Sequence, residues 1–173
     1  LPQPIAPEST GWKQVSAAYN NIIAIKTDGT LWDLTDQPKQ LSTEQWEQIA
    51  TGYDYTIAIR KDGSLWSYGF NDDGQLGLGH TKDTITLNQI GTATNWRLIS
   101  AAPDYAFGIQ EDGSLWAWGD NSCEQLGLGD SYSDQETISI PHQILNGTRW
   151  KSISAADHTL AIHEDGSLWA WGF

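Results

Sequence analysis

Residues 112–119 read Asp112-Gly113-Ser114-Leu115-Trp116-Ala117-Trp118-Gly119, and residues 165–172 repeat them as Asp165-Gly166-Ser167-Leu168-Trp169-Ala170-Trp171-Gly172. The opening Asp-Gly-Ser/Thr-Leu-Trp occurs twice more, from Asp28 to Trp32 and from Asp62 to Trp66. A string that recurs four times in order marks an array of supersecondary units. A second tryptophan precedes each copy by 20, 20, 20 and 19 residues, at Trp12, Trp46, Trp96 and Trp150. With Trp118 and Trp171 these make all 10 tryptophans repeat positions; Tyr68 and Leu34 stand where Trp118 does in the second and first copies. No tryptophan is left over to stack on a substrate.

Each unit is expected to open on a short piece, Leu1 to Ile5, Pro38 to Leu41, Leu87 to Ile90 or Pro141 to Leu145. A tryptophan and an alternating run follow, as in Trp96-Arg97-Leu98-Ile99-Ser100-Ala101-Ala102, then a polar loop, an Ile-Ala-Ile-like run, the Asp-Gly turn and the Leu-Trp run. Period-two runs joined by Asp-Gly turns predict strands and hairpins. No segment carries the 3.6-residue period of helical repeats. Four strands in each of four units predict an all-β chain, a β-propeller built from four-stranded blades. The units run approximately over 1–37, 38–86, 87–140 and 141–173, in one repeat domain. Units two and three carry a Gly-rich insertion after the Leu-Trp run, Gly69 to Gly79 and Gly119 to Gly129, where unit one has only Asp33 to Gln37.

Among 173 residues, 22 are acidic and 9 basic, a formal net charge of −13. That balance argues against a nucleic-acid partner, which needs clustered Lys and Arg. No apolar run approaches the roughly 20 residues of a membrane-spanning helix, so no membrane partner and a soluble chain are expected. Cys123, without a second cysteine, forms no internal disulfide, and the chain starts at Leu1 without any Met, as a processed or excised segment does.

The combined signature Trp-x-x-Ile-x-Ala-Ala, Ala-Ile-x-x-Asp-Gly-Ser-Leu-Trp-Ala-Trp-Gly and Asn-x-x-x-Gln-Leu-Gly-Leu-Gly resembles the regulator-of-chromosome-condensation repeat across essentially the whole chain. The resemblance implies repeats of about fifty residues, usually in a seven-bladed propeller. It also implies protein binding, in members that act in guanine-nucleotide exchange on a small GTPase, in chromatin association or, in a bacterial member, in β-lactamase inhibition. This sequence departs from the pattern in places. The Gly common after the second-strand Ala occurs only as Gly52, the following His-Thr only as His158-Thr159, and unit one is shortened. Four units fall short of seven, so an open arc with bare blade faces is expected unless the chain is part of a larger propeller or two copies form a ring as a homo-oligomer.

Alternating strand direction sends the loops before the Ile-Ala-Ile runs and the Gly-rich loops to one face. That face would carry Tyr19, Tyr53, Asp54, Tyr55, Asp104, Tyr105, Asp157, His158, Phe70, Asn71 and Asp72 as candidate binding residues. Tyrosine gives contact area at small entropic cost and carboxylates steer a basic partner, so a protein with a basic surface is the expected partner. Arg60, Arg97 and Arg149 fall near the opposite face, where surface solubility is their expected role and a carboxylate clamp the alternative.

No catalytic constellation, cofactor motif or metal-ligand spacing is present. His80, His142, His158 and His163 lack partners at ligand spacing, Cys123 lacks an evident base, and Asn71-Asp72-Asp73-Gly74 lacks the distal Glu of a calcium loop. Gly74, Gly77 and Gly79 are followed by no Lys-Ser/Thr, so they form no phosphate loop. Asn146-Gly147-Thr148 is a sequon, of consequence only in a secreted eukaryotic chain. The leading expectation is a non-enzymatic protein-binding scaffold. The alternatives are a carbohydrate-active enzyme or lectin using Asp54, Asp104 and Asp157, a nucleotide-exchange regulator, and an excised or designed fragment that self-assembles.

Overall fold

The computed structural model describes residues 10–172. Its described residues form fifteen strands and one short 3-10 turn at Asp130–Tyr132, with no α-helix. The strands make four antiparallel meanders. Blade one holds β1 (Trp12–Ala18), β2 (Asn21–Lys26), β3 (Leu31–Asp33) and β4 (Lys39–Ser42). Blade two holds β5 (Trp46–Thr51), β6 (Tyr55–Arg60), β7 (Leu65–Gly69) and β8 (Thr84–Gln89). Blade three holds β9 (Trp96–Ala101), β10 (Tyr105–Gln110), β11 (Leu115–Asp120) and β12 (Thr137–Ile144). Blade four holds β13 (Trp150–Ala155), β14 (His158–His163) and β15 (Leu168–Gly172).

The expected β-propeller blades are present, but blades and sequence units are out of step by one strand. The short pieces read as opening units two, three and four are β4, β8 and β12, and each pairs with the last strand of the preceding unit. Ladder pairing decides this: Leu115 faces Ile144 across the sheet, although 29 residues and the Gly-rich loop separate them. The Gly-rich loops therefore join the third strand of a blade to its fourth. The piece Leu1 to Ile5 lies outside the described residues.

Each blade closes at its lower end by the same local chemistry. In blade two the Asp62 carboxylate accepts from the Ser64 backbone N–H at 2.9 Å and its hydroxyl at 2.6 Å, and the Ser64 oxygen accepts from Trp66 Nε1 at 2.8 Å. Asp28-Thr30-Trp32, Asp112-Ser114-Trp116 and Asp165-Ser167-Trp169 repeat that relay. The turn needs a left-handed residue after the aspartate, and Gly63 supplies it at φ 79°. The relay holds the four aspartates below the ordinary carboxylate range, chiefly through the Ser or Thr hydroxyl; Asp165, which His163 also contacts, falls to about 2.

The two tryptophans of each unit then meet edge to face, with centroids 6.1, 6.3, 6.1 and 5.8 Å apart in blades one to four. The residue facing the second tryptophan across the ladder is always small: Ala24, Ala58, Gly108 and Ala161. At Gly108 a methyl group would meet the Trp96 ring at 2.5 Å, so the indole occupies the space a side chain would need.

Blades pack in chain order, one on two, two on three and three on four, with no comparable packing between blades one and four among the described residues. Ile23, Ile25 and Leu31 of blade one, and their counterparts in blades two and three, are buried at these junctions. On blade four the counterparts Leu160, Ile162 and Leu168 are open to solvent, Leu168 by 69%. The described chain is an open arc of four blades.

Candidate protein-binding face

The loops joining the first and second strands of each blade emerge at the upper end, beside the Gly-rich loops. Tyr19 and Tyr53 occupy equivalent positions in blades one and two, 77% and 50% exposed, and their rings lie 5.4 Å apart. Asp54 and Phe70 flank them at the surface, joined by the bond from the Phe70 N–H to the Asp54 carbonyl at 2.9 Å. Asp72 is exposed on the Gly-rich loop that follows.

Three of the expected contact residues are buried and do other work. The Tyr55 hydroxyl donates to the Ala102 carbonyl at 2.8 Å and to the Tyr105 carbonyl at 2.5 Å, both in blade three. The Tyr105 hydroxyl repeats the move one blade on, donating to the Ala156 carbonyl at 2.7 Å. In blade one Asn21 takes this position and bonds the Tyr55 carbonyl and Thr56 hydroxyl at 2.8 and 3.0 Å. These residues latch each blade to the next. Asn71 is also buried: its amide donates to the His80 and Lys82 carbonyls and accepts from the Leu76 N–H, which ties the Gly-rich loop to itself. Burial takes all three out of reach of a partner, and only the alternation of loop positions suggested otherwise.

Between blades three and four a cleft of about 380 Å³ opens upward, lined by Asp104, Asp120, Asp157, His158 and Cys123 among others. Asp73, on the loop of blade two, lies near enough for its charge to act on Asp104 and Asp120. Burial pushes the Asp104 carboxyl above the usual range, and the charges of Asp73 and Asp120 push it further. Asp73 is raised by burial and then by Asp120 and Asp72. Asp73, Asp104 and Asp120 thus act on one another at this mouth, Asp157 adds a further carboxylate to the lining, and no lysine or arginine lines the cleft. The Asp120 carboxylate is held in place by Gln125 Nε2 at 2.6 Å and by Ser122. The sequence shows Asp73 and Asp120 on this face but gives no sign that they converge on Asp104, because convergence depends on how far each loop folds over the neighbouring blade.

The arginines are engaged locally on the lower face. Arg60 lies over the Trp66 ring at 4.1 Å, Arg97 donates to the Trp150 carbonyl at 3.1 Å, and Arg149 pairs with Glu164 at 3.1 Å. They form no common clamp.

Family comparison matches the regulator of chromosome condensation repeat over residues 62–101 and 112–162, and a second description of that repeat over 46–75. Among solved structures, human WBSCR16 is similar at TM-score 0.83 and 19% identity, over 94% of this chain and 47% of that one. Yeast RCC1 (Prp20) bound to Kap60 is similar at TM-score 0.80 and 20% identity, over 94% and 44%. The computationally designed Ika4 protein gives TM-score 0.54 at 11% identity, over 94% and 91%. These likenesses show the fold. The chain spans a little under half the length of the first two. No curated protein matches it.

Proposed function

Because the chain belongs to the regulator-of-chromosome-condensation repeat family, we propose that it is a non-enzymatic scaffold that binds a protein with a basic surface through its upper face. The observation that carries this is the convergence of Asp73, Asp104 and Asp120 on one cleft mouth. Like charges held together at partial burial cost stability, and an incoming Lys or Arg relieves that cost on binding. The tyrosine pair Tyr19 and Tyr53 adds exposed aromatic area on the same face. Yeast RCC1 (Prp20) bound to Kap60 and Prp20p with its binding properties to Gsp1p and histones are structural relatives with protein partners, which is consistent with the proposal.

Affinity capture with the intact chain tests it. A basic protein retained by the wild type and released by Asp104→Asn combined with Asp120→Asn supports the proposal. Retention unchanged by that pair overturns it, and so does glycan hydrolysis that Asp104→Asn abolishes.

A second element of the proposal concerns blade four. Its bare Leu160, Ile162 and Leu168 correspond to residues that the next blade covers elsewhere. We propose that a further blade of the same kind, from a second copy or a longer chain, packs there.

A further inference from the structure

The Gly-rich loop absent from unit one leaves an open groove between blades one and two. At the next junction that loop lies across the following blade. The Gln75 carbonyl accepts from Trp118 Nε1 at 2.8 Å, and the Gly79 N–H donates to the Ser139 carbonyl of β12 at 2.8 Å. Gly77 sits so close that a methyl group there would meet the Trp118 indole at 3.1 Å and Ile90 at 3.2 Å.

Register carries these positions onto blade two. Gly119 faces Ile138 in blade three as Gly69 faces Thr84 in blade two, so Tyr68 corresponds to Trp118 and Ile85 to Ser139. Both line a groove of about 380 Å³ between β4 and the outer strands of blade two, with Leu41 where Ile90 stands at the next junction. Ile85 is 96% exposed, whereas its counterpart Ser139 is covered by Gly74. The charged residues lining the groove are Lys39 and Arg60, the latter also paired with Glu44 at 3.7 Å, and no carboxylate is in the lining, in a chain where acids outnumber bases 22 to 9.

We propose that this groove docks an extended, acidic, leucine-bearing segment of a partner protein, seated as the Gly-rich loop is seated on the following blade. Backbone N–H groups of the segment bond the outer edge of β8 at the Ile85 carbonyl, a strand-edge mode of recognition. A leucine packs on Leu41 and the Tyr68 ring, a small residue passes over that ring, and carboxylates meet Lys39 and Arg60. The site is distinct from the upper acidic cleft and does not depend on its partner.

A fluorescent peptide reproducing residues 69–80, Gly-Phe-Asn-Asp-Asp-Gly-Gln-Leu-Gly-Leu-Gly-His, carries both leucines and both carboxylates and serves as the probe. Fluorescence polarisation against the intact chain is expected to give saturable binding. Ile85→Glu and Lys39→Glu, both at exposed side chains and checked by near-ultraviolet circular dichroism, are each expected to weaken it at least tenfold. A peptide with both leucines changed to serine is expected not to bind. Absence of saturable binding overturns the proposal, as does equal binding of a scrambled peptide or an affinity that Ile85→Glu leaves unchanged. Self-association of the intact chain that Ile85→Glu abolishes would make the occupant a second copy and overturn the partner assignment.

Discussion

The ring of Tyr55 leans onto the α-carbon of Gly52, while its hydroxyl reaches the Ala102 carbonyl of the next blade at 2.8 Å. Position 52 is alanine in the other three units, at Ala18, Ala102 and Ala156, although blade three makes the same latch through Tyr105, so the close approach of the ring to this backbone is particular to blade two. Tyr55→Phe takes the hydroxyl donor from the Ala102 carbonyl, while the Tyr105 carbonyl keeps the Ala102 N–H, and is expected to cost about 1–3 kcal/mol. Gly52→Ala forces the ring out of its slot, at about 1–3 kcal/mol for overpacking. Urea unfolding of both variants measures the two costs, and combining them should cost less than their sum because they disturb one contact.

Trp118 joins blade three to the loop of blade two through its indole bond to the Gln75 carbonyl, and it is fully buried. Trp118→Ala is expected to lower stability by about 3–5 kcal/mol. The loop it anchors should lose hydrogen-exchange protection at Gly77 and Gly79 before the strands do.

Stability should pass through a maximum at mildly acid pH. Asp73 and Asp104 have folded pKa values above the ordinary 3.8, so their unfavourable contribution at neutral pH disappears as pH falls through those raised values. Asp28, Asp62, Asp112 and Asp165 are depressed, Asp165 to about 2, and the stability they supply above pH 3.8 is lost as pH falls below it. Thermal melts from pH 8 to pH 2 should rise and then drop, and Asp104→Asn should flatten the rise while leaving the drop in place.

Asp104→Asn should separate stability from binding. Removing one like charge from the mouth is expected to stabilise the fold at pH 7 by roughly 0.5 kcal/mol, discounted for solvent screening. Capture of a basic partner should weaken at the same time. A melt and a binding isotherm on one preparation test both halves.

If a further blade covers blade four, Leu168→Lys should disrupt association without lowering the stability of the arc, since Leu168 is already exposed in the described chain. Light scattering of wild type and variant across a dilution series gives the mass of each.

The blade fold was legible because its determinants are local. Asp-Gly turns, alternating runs and paired tryptophans each act over a few residues, and the Asp62-Ser64-Trp66 relay shows how little sequence they need. The one-strand offset was not legible, because β8 reads as an extended piece whichever neighbour it pairs with, and only the ladder to β7 assigns it. On the upper face the exposed Tyr53 and the buried Tyr55 stand two residues apart in one loop and strand start, with nothing in residue type to distinguish them. What separates them is the reach of Tyr55 into blade three, a contact 47 residues away.

The offset between units and blades bears on how such an array lengthens. Each added unit arrives with the outer strand of its predecessor at its front, as β4, β8 and β12 do. Duplication of one unit therefore seals the edge it joins and opens one new edge at the growing end. Among the described residues β15 is the third strand that no such piece has joined, and its free ladder edge is the one that the front of a following unit would pair.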